Sequence, residues 1–152
     1  MYEYKCKIVR VVDGDTVDVD VDLGFGIWMH NERVRIAGID TPECRTSDEV
    51  ERIFGNLAKA RVEELLPVGS YHTLKSQDFK GKFGRILGDI ILKEHSVYLT
   101  DLLLAENLAV IYSGQSKDDI EAGHLHNRQK LLDSGVVSQE EYDAAVLLME
   151  NK

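Results

Sequence analysis

Three short segments bring together residues whose types and spacing could do chemistry. In Val12-Asp13-Gly14-Asp15-Thr16, two carboxylates bracket a glycine that permits a tight bend. In Arg33-Val34-Arg35-Ile36-Ala37-Gly38-Ile39-Asp40-Thr41-Pro42-Glu43, two arginines share one strand face. Pro42 ends that strand and leaves Asp40 and Glu43 at its mouth. Lys82-Phe83-Gly84-Arg85 is a glycine-relieved loop carrying another pair of cations. Asp15 and Asp40 are hard oxygen donors suited to Ca²⁺ or Mg²⁺. Arg35 is a planar fork suited to a phosphate, and Glu43 is a spare carboxylate able to orient or deprotonate water. A metal, two arginines and a carboxylate base are what water attack on a phosphodiester requires. Taken singly, the segments have plainer readings: a turn with solvated aspartates, or a strand end with a surface ion pair worth under about 1 kcal/mol.

The elements that must position these residues follow from periodicity. Residues 5–12 are mostly β-formers, and residues 16–23 alternate strictly, with Val17, Val19, Val21 and Leu23 on one side and Asp18, Asp20 and Asp22 on the other. That period of two describes a half-buried antiparallel strand. Asp15 shares the parity of the valines, so it faces inward at the strand's start, where a carboxylate is costly unless something positive meets it. Gly24-Phe25-Gly26 marks a turn, and a third strand runs from Arg33 to Ile39. Thr46 with Glu49 forms a capping-box pattern for a helix whose apolar stripe is Val50, Phe54, Leu57, Ala58, Val62 and Leu65, and which Pro67 and Gly69 stop. Short strands over 70–76 and 85–92 flank the Lys80–Gly84 loop. Thr100 is expected to cap a second helix, with Asn107 in the left-handed conformation at its end. Ser116 with Asp119, and Ser138 with Glu141, open two more, the last presenting Tyr142, Val146 and Met149 on one stripe. Strands followed by helices, with one helix inserted between strands three and four, imply an α+β fold: a small Greek-key barrel with packed helices.

The three segments, in this order and spacing, resemble the signature segments of the staphylococcal nuclease-like (thermonuclease) family, and the resemblance covers roughly residues 7–132. It implies a five-stranded OB-fold barrel with about three packed helices plus a C-terminal helix, and Ca²⁺-dependent hydrolysis of single-stranded or frayed DNA and RNA. It also implies roles. Asp15 and Asp40 would bind calcium through their carboxylates and Thr41 through its carbonyl, Glu43 would act on the attacking water, and Arg35 and Arg85 would hold the scissile phosphate. Lys82 would hold a neighbouring phosphate. Phe83 stands where the family usually offers tyrosine, which removes one phosphate hydrogen bond, and Tyr112 serves as the nucleotide-side tyrosine only after a one-residue shift in register. A domain over 1–132 and an extension over 133–152 follow. The run Leu131 to Tyr142 resembles the short C-terminal helical domain of bacterial and phage proteins, which implies a surface for self-association or a protein partner; an ordinary capped helix packing on the barrel accounts for it equally well.

Composition bounds these readings. The chain of 152 residues is about one domain, with 43% apolar and 30% charged residues. No apolar leader, no run of membrane length and only two cysteines, Cys6 and Cys44, point to a reduced, cytoplasmic setting. The net charge of −9 argues against indiscriminate coating of nucleic acid, while screening leaves room for a local basic site. Asp18-Val19-Asp20-Val21-Asp22 matches the start of an EF-hand loop only superficially, because the valine alternation describes a strand. His124 and His126, two apart, do not share a helix face, so zinc is not expected there. His30, His72 and His95 read as scattered surface histidines, and Cys44 as incidental. The alternative to an enzyme is an OB-fold module that binds nucleic acid or protein, with weak or vestigial activity; its mark would be a lost ligand or arginine, and none is lost.

Overall fold

A computed structural model describes residues 2–78, 84–92 and 96–152. Strands β1 (Tyr2–Asp13), β2 (Thr16–Asp22) and β3 (Trp28–Ile36) form an antiparallel meander. Strand β5 (Tyr71–Asp78) pairs with β1 on its other side and with β6 (Ile86–Leu92), and β7 (Val97–Tyr98) adds to β6. The sheet order is therefore β3-β2-β1-β5-β6-β7. A short parallel pairing of Val34–Ile36 with Ile86–Gly88 brings β3 back against β6. This is the order of a five-stranded, partly open OB-fold barrel. A separate two-stranded ribbon joins β4 (Ile39–Asp40) to β8 (Val110–Ile111).

The alternation in β2 is realised as expected up to its end. Val17, Val19 and Val21 are fully buried, while Asp18, Asp20 and Asp22 are only half-buried. Leu23 departs from the expectation: it lies past the strand in the turn and is 42% exposed. Gly24, Phe25 and Gly26 all take positive φ, which makes that turn. The third strand also departs from its expected bounds. It begins at Trp28, in a polar stretch whose pairing with β2 is interrupted by a register shift, and it stops at Ile36 because Gly38, at φ 80°, turns the chain before β4.

Helix α1 (Glu49–Leu65) lays Val50, Phe54, Ala58 and Val62 into the core, the stripe its spacing predicts. Each large apolar side chain buried this way contributes about 1.5–3 kcal/mol. Its cap is Asp48, whose carboxylate accepts from the backbone of Val50 and Glu51; Thr46, the expected cap, instead accepts from the Asp48 N–H. Helix α2 (Leu99–Ala105) likewise starts without Thr100 as its cap. Thr100 Oγ1 donates to Asp89 on β6 at 2.6 Å, so a tertiary carboxylate takes the capping role. Asn107 does take a left-handed φ, 62°. Helices α3 (Lys117–Asp133) and α4 (Gln139–Glu150) start at Ser116 and Ser138 as read from the sequence. Helix α4 packs on α1 through Ala145, with the Tyr142 ring edge-on to Phe54 and Glu49 N–H directed at the Met149 sulfur. Among the described residues, no helix is long and apolar enough to cross a membrane.

Candidate active site

One end of the barrel collects the carboxylates of the first two segments. The β1–β2 turn puts Asp15 where its parity predicts, 8% exposed. Its Oδ2 accepts from the Thr41 N–H at 3.1 Å, and its Oδ1 accepts from the Thr16 hydroxyl at 3.1 Å. Arg33 and Arg35 share a strand face, opposite Asp18 and Thr16, but their tips part. Arg33 turns to Asp18 on the barrel wall. Arg35 reaches over the barrel end, where its Nη2 lies 3.4 Å from Asp15 Oδ2 and 3.8 Å from Asp40 Oδ1. The guanidinium is held in place by donating to the carbonyls of Ile36 (2.7 Å) and Ile39 (3.0 Å). Two carboxylates thus face one fixed cation.

Glu43 follows on the loop beyond Thr41, exposed, with its N–H donated to Glu51 Oε2 at 2.9 Å. That loop can lie against α1 because residue 55 is glycine: a Cβ there would overlap the Glu43 carbonyl group and the Cys44 nitrogen. Burial raises the Glu43 carboxyl above its usual range, and the charges of Asp15, Asp40 and Glu51 add to the rise against the opposing pull of Arg35. Asp13 is pushed further, to about 7, first by burial and then by its hydrogen bond and repulsion with Asp15 and the charge of Glu43. Asp15 goes the other way. Burial alone would raise it, but the hydrogen bond with Asp13, the charge of Arg35 and the N–H of Thr41 outweigh that and hold it ionised.

Arg85 lies one residue before β6, half-buried. Because Arg35 pairs with Leu87, two residues on, Arg85 falls on the same face of the neighbouring strand. Lys82 and Phe83 lie outside the described residues. Tyr112 is half-exposed and tied by its N–H to the Gly38 carbonyl at 2.9 Å. It lines an open groove of about 520 Å³ with Asp40, Thr41, Glu43, Lys117 and His124.

Two residues at this site were not expected from the sequence. Asp13 was read as one side of a turn, yet its Oδ1 accepts from the Asp15 N–H at 3.1 Å and its carboxyl belongs to the cluster. For His124 the sequence excludes only a zinc pairing with His126 and gives it no role, yet its Nε2 lies 2.8 Å from Asp40 Oδ2 with only 12% of its side chain exposed. Their separation of 84 positions leaves no local signal. His72 departs from the expectation of a surface site: it is buried and bonded to Ser70 Oγ. Cys6 is fully buried, which pushes its thiol up to about 12, and burial likewise raises Cys44, so neither is an activated nucleophile.

Whether this end suits a divalent cation can be judged from its donors. Among the described residues, no three His, Cys, Asp or Glu side chains gather closely enough to form a cage by themselves. The Asp15 and Asp40 carboxylates, with the Thr41 carbonyl that the resemblance implies, would all be hard oxygen donors. That set fits Ca²⁺, which completes its shell with water. Burial and the negative charge of their neighbours together raise Asp13 and Glu43, and a bound cation would relieve the second of these.

Comparison with known proteins identifies the family of the chain. A family model described as staphylococcal nuclease homologue matches residues 33–131, which contain Arg35, Asp40, Thr41, Glu43 and Arg85. Two curated relatives match a similar share of the chain. Protein ParB of Escherichia coli is 33% identical over 88 residues, 58% of this chain and 42% of its own length. The thermonuclease of Staphylococcus intermedius is 31% identical over 85 residues, 56% of this chain and 47% of its own. This chain therefore spans less than half the length of either relative. The match over well over half of the chain, on an OB-fold strand order, shows that it belongs to the staphylococcal nuclease homologue family.

Proposed function

We propose that the protein is a metal-assisted nuclease that hydrolyses phosphodiester bonds in single-stranded or frayed DNA and in RNA. The observation that carries this reading is the convergence of Asp15 and Asp40 on Arg35, with Glu43 on the adjoining loop. Membership in the nuclease family and the thermonuclease relative support it. An exposed strand reaches a shallow barrel end more readily than a stacked duplex does.

In this reading Asp15, Asp40 and the Thr41 carbonyl hold Ca²⁺, which supplies charge stabilisation at a phosphate oxygen and lowers the pKa of bound water. Glu43 takes the proton of the attacking water. Arg35, already fixed by two carbonyls, meets the developing negative charge at little reorganisation cost, and Arg85 flanks it from β6. Lys82, Phe83 and Tyr112 are assigned to the substrate on either side of the scissile bond. Residues 133–152 are assigned to an extension that offers a surface for self-association or a protein partner.

The test is cleavage of end-labelled single-stranded DNA with Ca²⁺, with Mg²⁺ and with EDTA, beside Glu43→Ser. Cleavage with Ca²⁺ alone, slowed strongly by the substitution, is expected. Cleavage that ignores the substitution would remove Glu43 from the mechanism. No cleavage under any condition would favour a binding module on the same barrel.

A further inference from the structure

Asp40 is held from two directions by helix α3. The first acts on its backbone. Asp40 pairs with Val110 in the β4–β8 ribbon, and α3 rides closely on that ribbon at Gly123, where a Cβ would come within 2.9 Å of Val110 Cγ1. Asn127, one turn on, donates to the Ala109 carbonyl at 3.1 Å and fixes the helix against the same strand. The second acts on its side chain. The residue after Gly123 is His124, whose Nε2 meets Asp40 Oδ2 at 2.8 Å. A carboxylate can only accept, so the proton of this hydrogen bond sits on Nε2, and in the neutral imidazole Nδ1 is then the accepting nitrogen.

That Nδ1 is buried and, in this structure, has no hydrogen-bond partner; the same is true of Arg128 Nε one turn later. Both residues line one small cavity of about 10 Å³, closed by Pro42, Phe54 and Leu131. By this measure the space admits about one water. Arg128 Nε can only donate and His124 Nδ1, in this tautomer, can only accept, so a single water satisfies both. Arg128 is itself steadied over the Phe54 ring, 5.4 Å from its centroid.

We propose that His124 is a positioning residue for Asp40: its tautomer is set by Arg128 through one bridging water, and its Nε2–H holds the Asp40 carboxylate with Oδ1 turned toward Asp15 and Arg35. The proposal rests on the reading of Asp40 as a cation ligand given above. Hydrogen-bonded partners of this kind commonly change metal affinity about 10–100-fold when removed.

Three measurements test it. Calorimetric titration of Ca²⁺ compares the unmodified protein with His124→Leu, His124→Asn, which is polar but too short to reach, and His124→Gln, whose amide restores a donor near the Nε2 position. Leu and Asn are expected to weaken binding about tenfold or more, with Gln returning to within about threefold of the unmodified protein. Metal-free melting of each variant separates this from loss of fold. A cooperatively melting Leu or Asn variant that binds Ca²⁺ as tightly as the unmodified protein would overturn the proposal. Two-bond ¹H–¹⁵N spectra of the unmodified, metal-free protein read the tautomer itself. Nε2–H with an unprotonated Nδ1 is expected, and Nδ1–H would overturn the relay. If the unmodified protein binds no Ca²⁺, the cation reading of the mouth fails, and the tautomer alone then decides whether His124 orients Asp40.

Discussion

The wall and the mouth of the barrel are both lined by aspartates from the same stretch of chain, and they treat their charge in opposite ways. On the wall, Asp18 meets Arg33 at 2.9 Å and Arg10 at 3.2 Å, and its carboxyl is held below the usual range chiefly by Arg33. Asp20 lies 3.3 Å from His30, and Asp22 caps the turn by accepting from the Gly24 N–H. At the mouth, Asp15 and Asp40 share Arg35, while Asp13 and Glu43 are pushed up by burial and by their neighbours' charge. On the wall each aspartate has a partner of its own, and Asp18 has two arginines. The mouth keeps a surplus of negative charge, a cost to the metal-free fold that the proposed cation would relieve.

The largest expected contrast lies between the two arginines of β3. Arg35→Ala should lower the cleavage rate by about two decades or more, as loss of a transition-state donor does, and Arg85→Ala should do likewise. Arg33→Ala, on the wall, should leave the rate nearly unchanged. A loss below about threefold for Arg35→Ala would remove it from the phosphate site. Next in size is Gly55→Ala, which forces the Glu43 loop off α1. Overpacking of this kind costs about 1–3 kcal/mol, and melting and cleavage should fall together; an unchanged melting midpoint would show that the loop can give way.

Smaller effects separate the carboxylates by sign. Asp13 titrates higher in the folded chain than in the unfolded one, so its contribution is fully present below the unfolded value near 3.8 and is lost as pH rises through about 7. Neutralising it as Asp13→Asn should therefore raise the metal-free melting midpoint at neutral pH by about 2–4 °C for each 1 kcal/mol recovered, with the gain gone in acid. Asp18 is the reverse case. Its depressed carboxyl contributes above the unfolded value and loses that contribution as pH falls, so Asp18→Asn should lower the midpoint at neutral pH. The effect should be small, under about 1 kcal/mol, because both arginine partners are largely exposed. Equal shifts of the same sign in the two variants would erase the distinction between wall and mouth.

Much of this was legible in the sequence where a local rule decides. The valine alternation gave β2 and the inward parity of Asp15, and the Ser-x-x-acid patterns at Ser116 and Ser138 gave the starts of α3 and α4. Local rules failed at the start of α1. Thr46 with Glu49 makes the capping pattern, yet Asp48 accepts from the first turn of the helix while Thr46 accepts from the Asp48 N–H. They failed again where a distant group intervened, as when Asp89 took the capping role from Thr100. The candidate site residues can be named from their segments, Asp15 by its strand parity and Arg35, Asp40 and Glu43 by sharing one short stretch of chain. His124 cannot be, since only the packing of α3 on the β4–β8 ribbon brings it to Asp40.

The most direct test of the claim that the mouth keeps its surplus charge for a cation is thermal melting with Ca²⁺ and with EDTA, in the unmodified protein and in Asp15→Asn. A ligand at about 100 times its dissociation constant adds about 2.7 kcal/mol, which for a chain of this size is a rise of about 5–10 °C. That rise is predicted for the unmodified protein and should be largely absent in Asp15→Asn. No rise in the unmodified protein, or an equal rise in both, would contradict the account.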